Sequence, residues 1–245
     1  MRVTKDGTSG QSLGDLLIAA VFVCLIIIRI FFVSTPLPGS IIGEKSNRIA
    51  EILVSSMTPA ELYIGKLLAG LTMGLVQTGI WLLAFWLLIA LTTDVLPVPP
   101  ELQMTLKLPV LSYFVLNHMI GLLTLLTFFG GASSICDNLQ DANAVVVPGT
   151  MLVLIPFYAS FTLLGNPANS LAETLSMFPF TSLYVMPARM ALIDVPLQDV
   201  AMALGVNILV CYLMLRVTTK IYKVGVMSTG RKPSFREVWG WLRSD

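Results

Sequence analysis

Few side chains in this chain could do chemistry, and most of them sit in apolar surroundings. The single histidine, His118, follows Asn117 inside a stretch from 108 to 136 that contains no Asp, Glu, Lys or Arg. One histidine leaves no basis for a His-based metal site or a His-driven triad, and it is poor support for a proton relay. The three cysteines, Cys24, Cys136 and Cys211, all fall in apolar runs, where a thiol behaves as a small hydrophobe and builds no disulfide framework. A phosphate loop of the GxxxxGK[ST] type is absent, as are GxGxxG, HExxH and CxxC. The string GTSG at Gly7 to Gly10 holds a serine between small residues but is no G-x-S-x-G elbow, and it reads as a polar terminus. An intramembrane enzyme would need a nucleophile beside its base or two facing carboxylates, whereas the carboxylates here lie at the edges of the apolar runs. The expectation is a chain with no catalytic residue, no metal and no cofactor of its own.

Polar residues within the apolar runs are the next candidates, because polar groups are costly there and line pathways or join helices. Arg29, Gln77, Thr78, Asn117, His118 and Asn207 qualify. Arg29 lies toward one end of its run, where its stem can snorkel to the headgroups, with gating or pairing as the alternative role. For Asn117 and His118 the simplest reading is an interhelical hydrogen bond that fixes packing. Gly70 and Gly74 form GLTMG, a small-xxx-small pattern expected to let two helices of the chain approach closely. Asp137 and Asp141, in CDNLQDAN, are expected to cap helix starts.

The elements that carry these residues follow from the charge pattern. The chain has 245 residues, 56% hydrophobic and 12% charged, with a mean hydropathy of +0.83, and a soluble domain has roughly twice that charged fraction. Residues 67 to 93, 108 to 136, 142 to 172 and 200 to 215 hold no Asp, Glu, Lys or Arg. About 20 apolar residues cross the hydrocarbon, so the chain reads as a single all-α integral membrane domain. Its spans are expected near 16 to 34, 64 to 92, 109 to 136, 144 to 165 and 197 to 217. The first is too long for the apolar core of a signal peptide and no A-x-A-like site follows it. A net charge of +1 without a basic cluster on a soluble domain excludes nucleic acid as a partner, and the apolarity excludes disorder.

Five crossings put the termini on opposite sides of the cell membrane. With the carboxy terminus in the cytoplasm, the inner segments hold Lys45, Arg48, Lys66, Lys220, Lys223, Arg231, Lys232, Arg236 and Arg243, with Arg29 and Arg216 near inner span ends. The outer segments hold only Arg2, Lys5, Lys107 and Arg189. Lys and Arg concentrate on the cytoplasmic side of membrane proteins, which favours the amino terminus outside and the tail, 218 to 245, inside.

Two inner segments have helix signals of their own. From Ser46 to Met57, Ile49, Ile52, Leu53 and Met57 recur at helical spacing while Asn47, Arg48, Glu51 and Ser55 take other faces, which predicts a short amphipathic helix. In TPAE, Thr58 can cap, Pro59 suits the first helical position and Glu61 completes a capping box, so a new helix begins there. In the tail, Ser234 and Glu237 make a second capping box, and Phe235, Val238, Trp239 and Leu242 share one face of a helix suited to lie on the inner membrane surface or against the elbow. Between the last two spans, ETLSMFPFTSLYVMPARMALID is apolar but interrupted by Pro179 and Pro187, which predicts a re-entrant or surface hairpin on the outer side.

The elbow EKSNRIAEILVSSMTPAELYIGKLLAG resembles the cytoplasmic segment of type-2 ABC transporter permeases, especially the sodium-extrusion branch. Glu44, Lys45, Asn47, Arg48, Glu51, Ile52, Leu53, Ser56, Pro59, Leu62, Gly65 and Lys66 carry the likeness. MFPFTSLYVMPARM and the ending IYKVGVMSTGRKPSFREVWGWL agree in the same order, so the likeness brackets residues 40 to 245. The resemblance implies an exporter subunit that forms a homodimer, or a heterodimer with a similar chain, and is driven by separate ATPase subunits that bind the ATP and magnesium. It implies that 44 to 57 is the coupling helix, with Glu44, Lys45, Asn47, Arg48 and Glu51 contacting or orienting the ATPase, and that Phe178 to Met190 is the outer re-entrant hairpin. It tilts the substrate toward sodium or small toxic compounds. The chain departs from that branch in lacking the first helix and large extracellular domain that precede the helix beginning here near Leu16. It therefore reads as a permease without its amino-terminal part, with a non-transporting membrane scaffold or a truncated remnant as the alternatives.

Overall fold

The computed structural model describes residues 13–34, 36–94, 107–228 and the single positions 237 and 240, with the side chains of 29–34, 92–94, 139 and 145 left outside that description. The GTSG string, the Arg29 side chain and the Ser234 cap of the expected tail helix fall outside the described residues.

Among the described residues the chain is all α-helix. In order the helices are α1 (Leu13–Ser34), α2 (Pro36–Ser46), α3 (Ile49–Ser56), α4 (Pro59–Asp94), α5 (Leu108–Ser134), α6 (Leu139–Leu163), α7 (Ser170–Met177), α8 (Ser182–Leu192) and α9 (Leu197–Gly225). Four of them contain stretches long and apolar enough to cross a membrane: Pro59–Leu91, Leu108–Ser134, Gln140–Leu163 and Leu197–Gly225. The described side chains of α1 add a shorter apolar stretch, Leu13–Ile28. α9 runs eight residues beyond the expected end at 217, because nothing between Arg216 and Gly225 breaks a helix; within it Thr218 and Thr219 turn their hydroxyls back onto the carbonyls of Met214 and Leu215.

The ends of the elements follow local chemistry. At the start of α4 the Glu61 carboxylate accepts from the Thr58 backbone N–H at 2.8 Å, and the Thr58 hydroxyl accepts from the Glu61 N–H at 3.3 Å, which is the reciprocal cap expected of TPAE. α6 is capped differently from expectation. Asn138, and neither aspartate, accepts from the Asp141 N–H at 2.8 Å, while its amide donates to the Asp141 carboxylate. Asp137 is one residue too early to cap and turns to Lys45 instead.

The chain divides into two compact units. Unit 1 comprises 1–28, 75–118 and 153–207, and unit 2 comprises 29–74, 119–152 and 208–245. In unit 1, Tyr113 packs with Met186 and Ala203, Leu163 packs with Ala172 and Val185, and Phe22, Phe114 and His118 form a stacked column of rings. In unit 2, Leu37, Ile41, Ala50, Tyr63, Leu67, Leu122, Leu126, Tyr222 and Val226 form one core, in which the Tyr63 and Tyr222 rings stack at 4.5 Å.

α5 contributes to a core in each unit, through Tyr113 in unit 1 and Leu122 and Leu126 in unit 2. Of its most apolar 18-residue window 61% is buried, against 17% for α4 and for α9. Two adjacent glycines make this close packing possible. A Cβ on Gly130 would meet the Tyr63 ring at 2.8 Å, and one on Gly131 would meet Thr218 at 2.6 Å, so α4 and α9 approach the α5 backbone where side chains are absent. Gly70 of the GLTMG pattern packs against Leu126 of this same chain, as its spacing predicts.

Candidate functional site

The elbow in unit 2 is built from α2, α3 and the start of α4. The expected single helix over 44–57 is in fact two: α2 ends at Ser46, and α3 begins at Ile49 after a kink at Arg48. Arg48 takes a left-handed conformation, φ 58°, which an L side chain adopts at a cost of roughly 1–2 kcal/mol. The kink separates the five candidate residues into two groups with different surroundings.

Glu44 and Lys45, on the last turn of α2, face inward. The Lys45 ammonium is buried, 2.9 Å from the Asp137 carboxylate, and it donates to the backbone carbonyls of Ser134 at 3.2 Å and Cys136 at 3.3 Å. An ammonium has three protons, and each has an acceptor here. Glu44 accepts from Lys66 of α4, which also donates to the Ser40 hydroxyl at 2.8 Å. α2 is thereby tied to α4 by one ion pair and to the segment after α5 by another.

Asn47, Arg48 and Glu51 are exposed. The inward side of α3 is narrow: Ala50 is buried and Leu53 and Val54 are half-buried, while Ile49 and Ile52 are exposed, Ile52 by 71%. Small Ala50 lets the helix lie close to the unit 2 core, and Ile49 and Ile52 project outward between the charges. α3 therefore presents an exposed surface of Asn47, Arg48, Ile49, Glu51 and Ile52 on a rigidly tied base.

The polar residues of unit 1 come together at α8. Asn207 of α9 donates to the Asn117 Oδ1 and to the Ser182 hydroxyl, both at 2.8 Å. Asn117 of α5 in turn donates to the backbone carbonyls of Ser182 and Leu183 at 3.4 Å. All three side chains are buried. The contact at Leu183 answers a local defect: Pro187 lies four residues on, inside α8, and has no N–H to donate back to the Leu183 carbonyl. α8 therefore continues through a proline that the sequence alone read as an interruption. His118 stacks on Phe114 at 5.6 Å, while Gln77 is half-buried on α4.

α7 and α8 form the hairpin expected here, turning over Phe178 to Thr181, with Phe180 at φ 70°. Buried Arg189 staples it, donating from Nε to the Pro167 carbonyl at 2.9 Å and from one terminal nitrogen to the Ser176 hydroxyl. No cluster of three or more His, Cys, Asp or Glu suited to a metal occurs among the described residues.

The family model described as "ABC-2 family transporter protein" matches residues 3–219, nearly the whole chain. The chain belongs to the ABC-2 transporter family. Members of this family are the membrane components of transporters, and this ABC-2 permease has the multi-pass helical composition of one. It is 31% identical over 225 residues to the uncharacterised protein MJ1024 of Methanocaldococcus jannaschii, covering 92% of this chain and 53% of that one. It is 24% identical over 248 residues to the uncharacterised protein YhaP of Bacillus subtilis, covering 99% and 59% respectively. The permease thus spans between half and three-fifths of the length of these curated relatives. No solved structure matches it.

Sequence reasoning found Asn117 and Asn207 separately but not their union, and it missed Ser182, Asp137 as the partner of Lys45, and the Gly130–Gly131 pair. The adjacent glycines in FFGG were a legible sign of close helix approach. Nothing in the sequence marks Ser182.

Proposed function

We propose that this ABC-2 permease is the membrane-spanning subunit of an exporter, driven by a separate ATPase subunit that docks on α3. The observation that carries the reading is α3 itself, a two-turn helix with exposed Arg48, Glu51 and Ile52 on a base held by two ion pairs. An exposed isoleucine flanked by charges is the composition of a docking surface. Because Lys45 ties α2 to the end of α5 and Glu44 ties it to α4, a push on α3 is transmitted to three helices together.

In this mechanism ATP draws two ATPases together, each displaces the α3 of one permease chain, and the spans rearrange to open a path outward. The permease works as a pair, with a second copy or a similar chain. ATP and magnesium belong to the ATPase, and no bond is made or broken in the permease. The chain crosses the cell membrane five times, with α1 as the first crossing, the amino terminus outside and the carboxy terminus in the cytoplasm, as the Lys and Arg distribution favours. The α7–α8 hairpin, apolar and closed by internal hydrogen bonds, is suited to re-enter the outer leaflet. The substrate class in keeping with the resembled branch is sodium or small toxic compounds.

The test is affinity purification of the tagged permease from its native membranes in mild detergent, with Arg48→Glu and Glu51→Lys variants in parallel. Reversing a charge at a docked surface places like charges together at a cost of several kcal/mol. A phosphate-loop ATPase should co-purify with the wild type and be lost from the variants, while membrane insertion is unchanged. Equal recovery of the ATPase with all forms would remove α3 as its docking site.

A further inference from the structure

The carboxy-terminal part of α9 has a face that neither the spans nor the coupling reading uses. Arg216, Lys220 and Lys223 stand at intervals of four and three residues. At about 100° per residue they fall within a sector of about 60°, and at ~1.5 Å per residue they spread over only ~11 Å of the helix axis. The same face carries Leu209, Tyr212 and Leu213 toward the membrane interior and Met227 beyond, each about half exposed. Arg216 and Lys223 are exposed and Lys220 is half-buried. From Val200 to Ser228 the chain contains no Asp or Glu.

The depth of this face is set by the apolar run before it. The charge-free residues 200 to 215 end at Arg216, and a hydrocarbon core of about 30 Å takes about 20 helical residues. The first turns after Arg216 therefore lie where phospholipid phosphates lie. Arg216 is already oriented there: its Nε donates to the Tyr212 hydroxyl at 2.9 Å and its guanidinium carbon lies 5.2 Å from the centroid of that ring. This contact uses one of its five N–H groups and leaves the terminal nitrogens to fork onto a phosphate oxygen pair, a geometry that an ammonium does not reproduce.

We infer that this face is a binding site for an anionic phospholipid. Arg216 and Lys223 hold its phosphate and headgroup, Lys220 adds a third positive charge, and the acyl chains lie along Leu209, Tyr212 and Leu213. Charge complementarity and the apolar continuation toward the interior favour a lipid over a free anion, because a soluble phosphate has no use for the aliphatic half. The inference rests on α9 crossing the bilayer and not on α3 docking an ATPase.

The experiment is native mass spectrometry of the full chain purified in mild detergent and titrated with dioleoylphosphatidylglycerol or dioleoylphosphatidylcholine. Each juxtamembrane cation contributes about a fivefold gain in affinity for an anionic lipid. The wild type should retain phosphatidylglycerol in preference to phosphatidylcholine, Lys223→Gln should weaken that retention about fivefold, and the triple Arg216→Gln, Lys220→Gln, Lys223→Gln variant should lose the preference. Lys107→Gln, at the start of α5, should bind as the wild type does. Inorganic phosphate at the same concentration should not displace the lipid. Equal retention of the two lipids by the wild type, unchanged preference in Lys223→Gln and in the triple variant, or full displacement by inorganic phosphate would each overturn the site. Lys223→Gln, exposed on the last turn of α9, keeps the comparison available should the triple variant fail to fold.

Discussion

Replacing Lys45 with methionine probes the base of α3 directly. Methionine keeps the length of the aliphatic stem and removes the charge, so packing changes little and the polar loss dominates. Three interactions disappear: the ion pair with Asp137 at 2.9 Å and the bonds to the carbonyls of Ser134 and Cys136. Removing one partner of a buried ion pair costs 3–5 kcal/mol, because the other charge is left without compensation. Asp137 is 28% exposed, however, so water recovers part of that loss. The two carbonyls, at the end of α5, lose donors worth about 1 kcal/mol each. The expected destabilisation is about 3–5 kcal/mol, read by reversible unfolding in mixed detergent micelles. Adding Asp137→Leu to Lys45→Met removes the stranded carboxylate and should return about 1 kcal/mol or more, but not the whole loss, since the carbonyls still lack a donor. A change below about 0.5 kcal/mol for Lys45→Met would mean that the ammonium is solvated, and the inward placement of Lys45 would be refuted.

Two further outcomes follow from the same packing. Asn207→Leu removes the two hydrogen bonds that Asn207 donates in the α5–α8–α9 network and should cost about 1 kcal/mol, within the range for hydrogen bonds between membrane helices, with faster amide exchange in α8; in a Pro187→Ala background Asn117→Leu should cost less than in the wild type, because the Leu183 carbonyl regains a backbone donor. Gly131→Ala forces a Cβ to within 2.6 Å of Thr218 and should destabilise by about 1–3 kcal/mol in the same unfolding assay, whereas Gly79→Ala meets nothing within 4 Å and should be neutral or stabilising.

Some of this molecule was legible without coordinates. Charge-free runs are a property of composition along the chain, so the long apolar helices emerged where expected, and Thr58 with Glu61 capped α4 because a capping box involves only residues three apart. The elbow residues also carried the family likeness in order, which the match over 3–219 established as membership.

The faces of those helices were another matter, and only the tertiary structure decided them. In a water-soluble protein the buried side of a helix is the apolar side, but here lipid is as apolar as the core, and a helix such as α4 is apolar all round. Nothing local distinguishes the lipid face of α4 from the side on which Tyr63 meets the unit 2 core. The same ambiguity turned Ile52 outward and Lys45 inward, against the polarity of their side chains, because Asp137 and two carbonyls wait 89 to 92 residues away. Asn117 and Asn207 are separated by 90 residues and meet because α5 and α9 both pack on α8, whose Pro187 leaves a carbonyl for Asn117 to satisfy. The sequence by itself determined that this chain is an all-helical membrane protein and, through the Thr58–Glu61 box, where α4 begins. Which of its polar groups face one another was decided by long-range packing, since a buried hydrogen bond is specified by its two partners and each partner's sequence surroundings record only half of it.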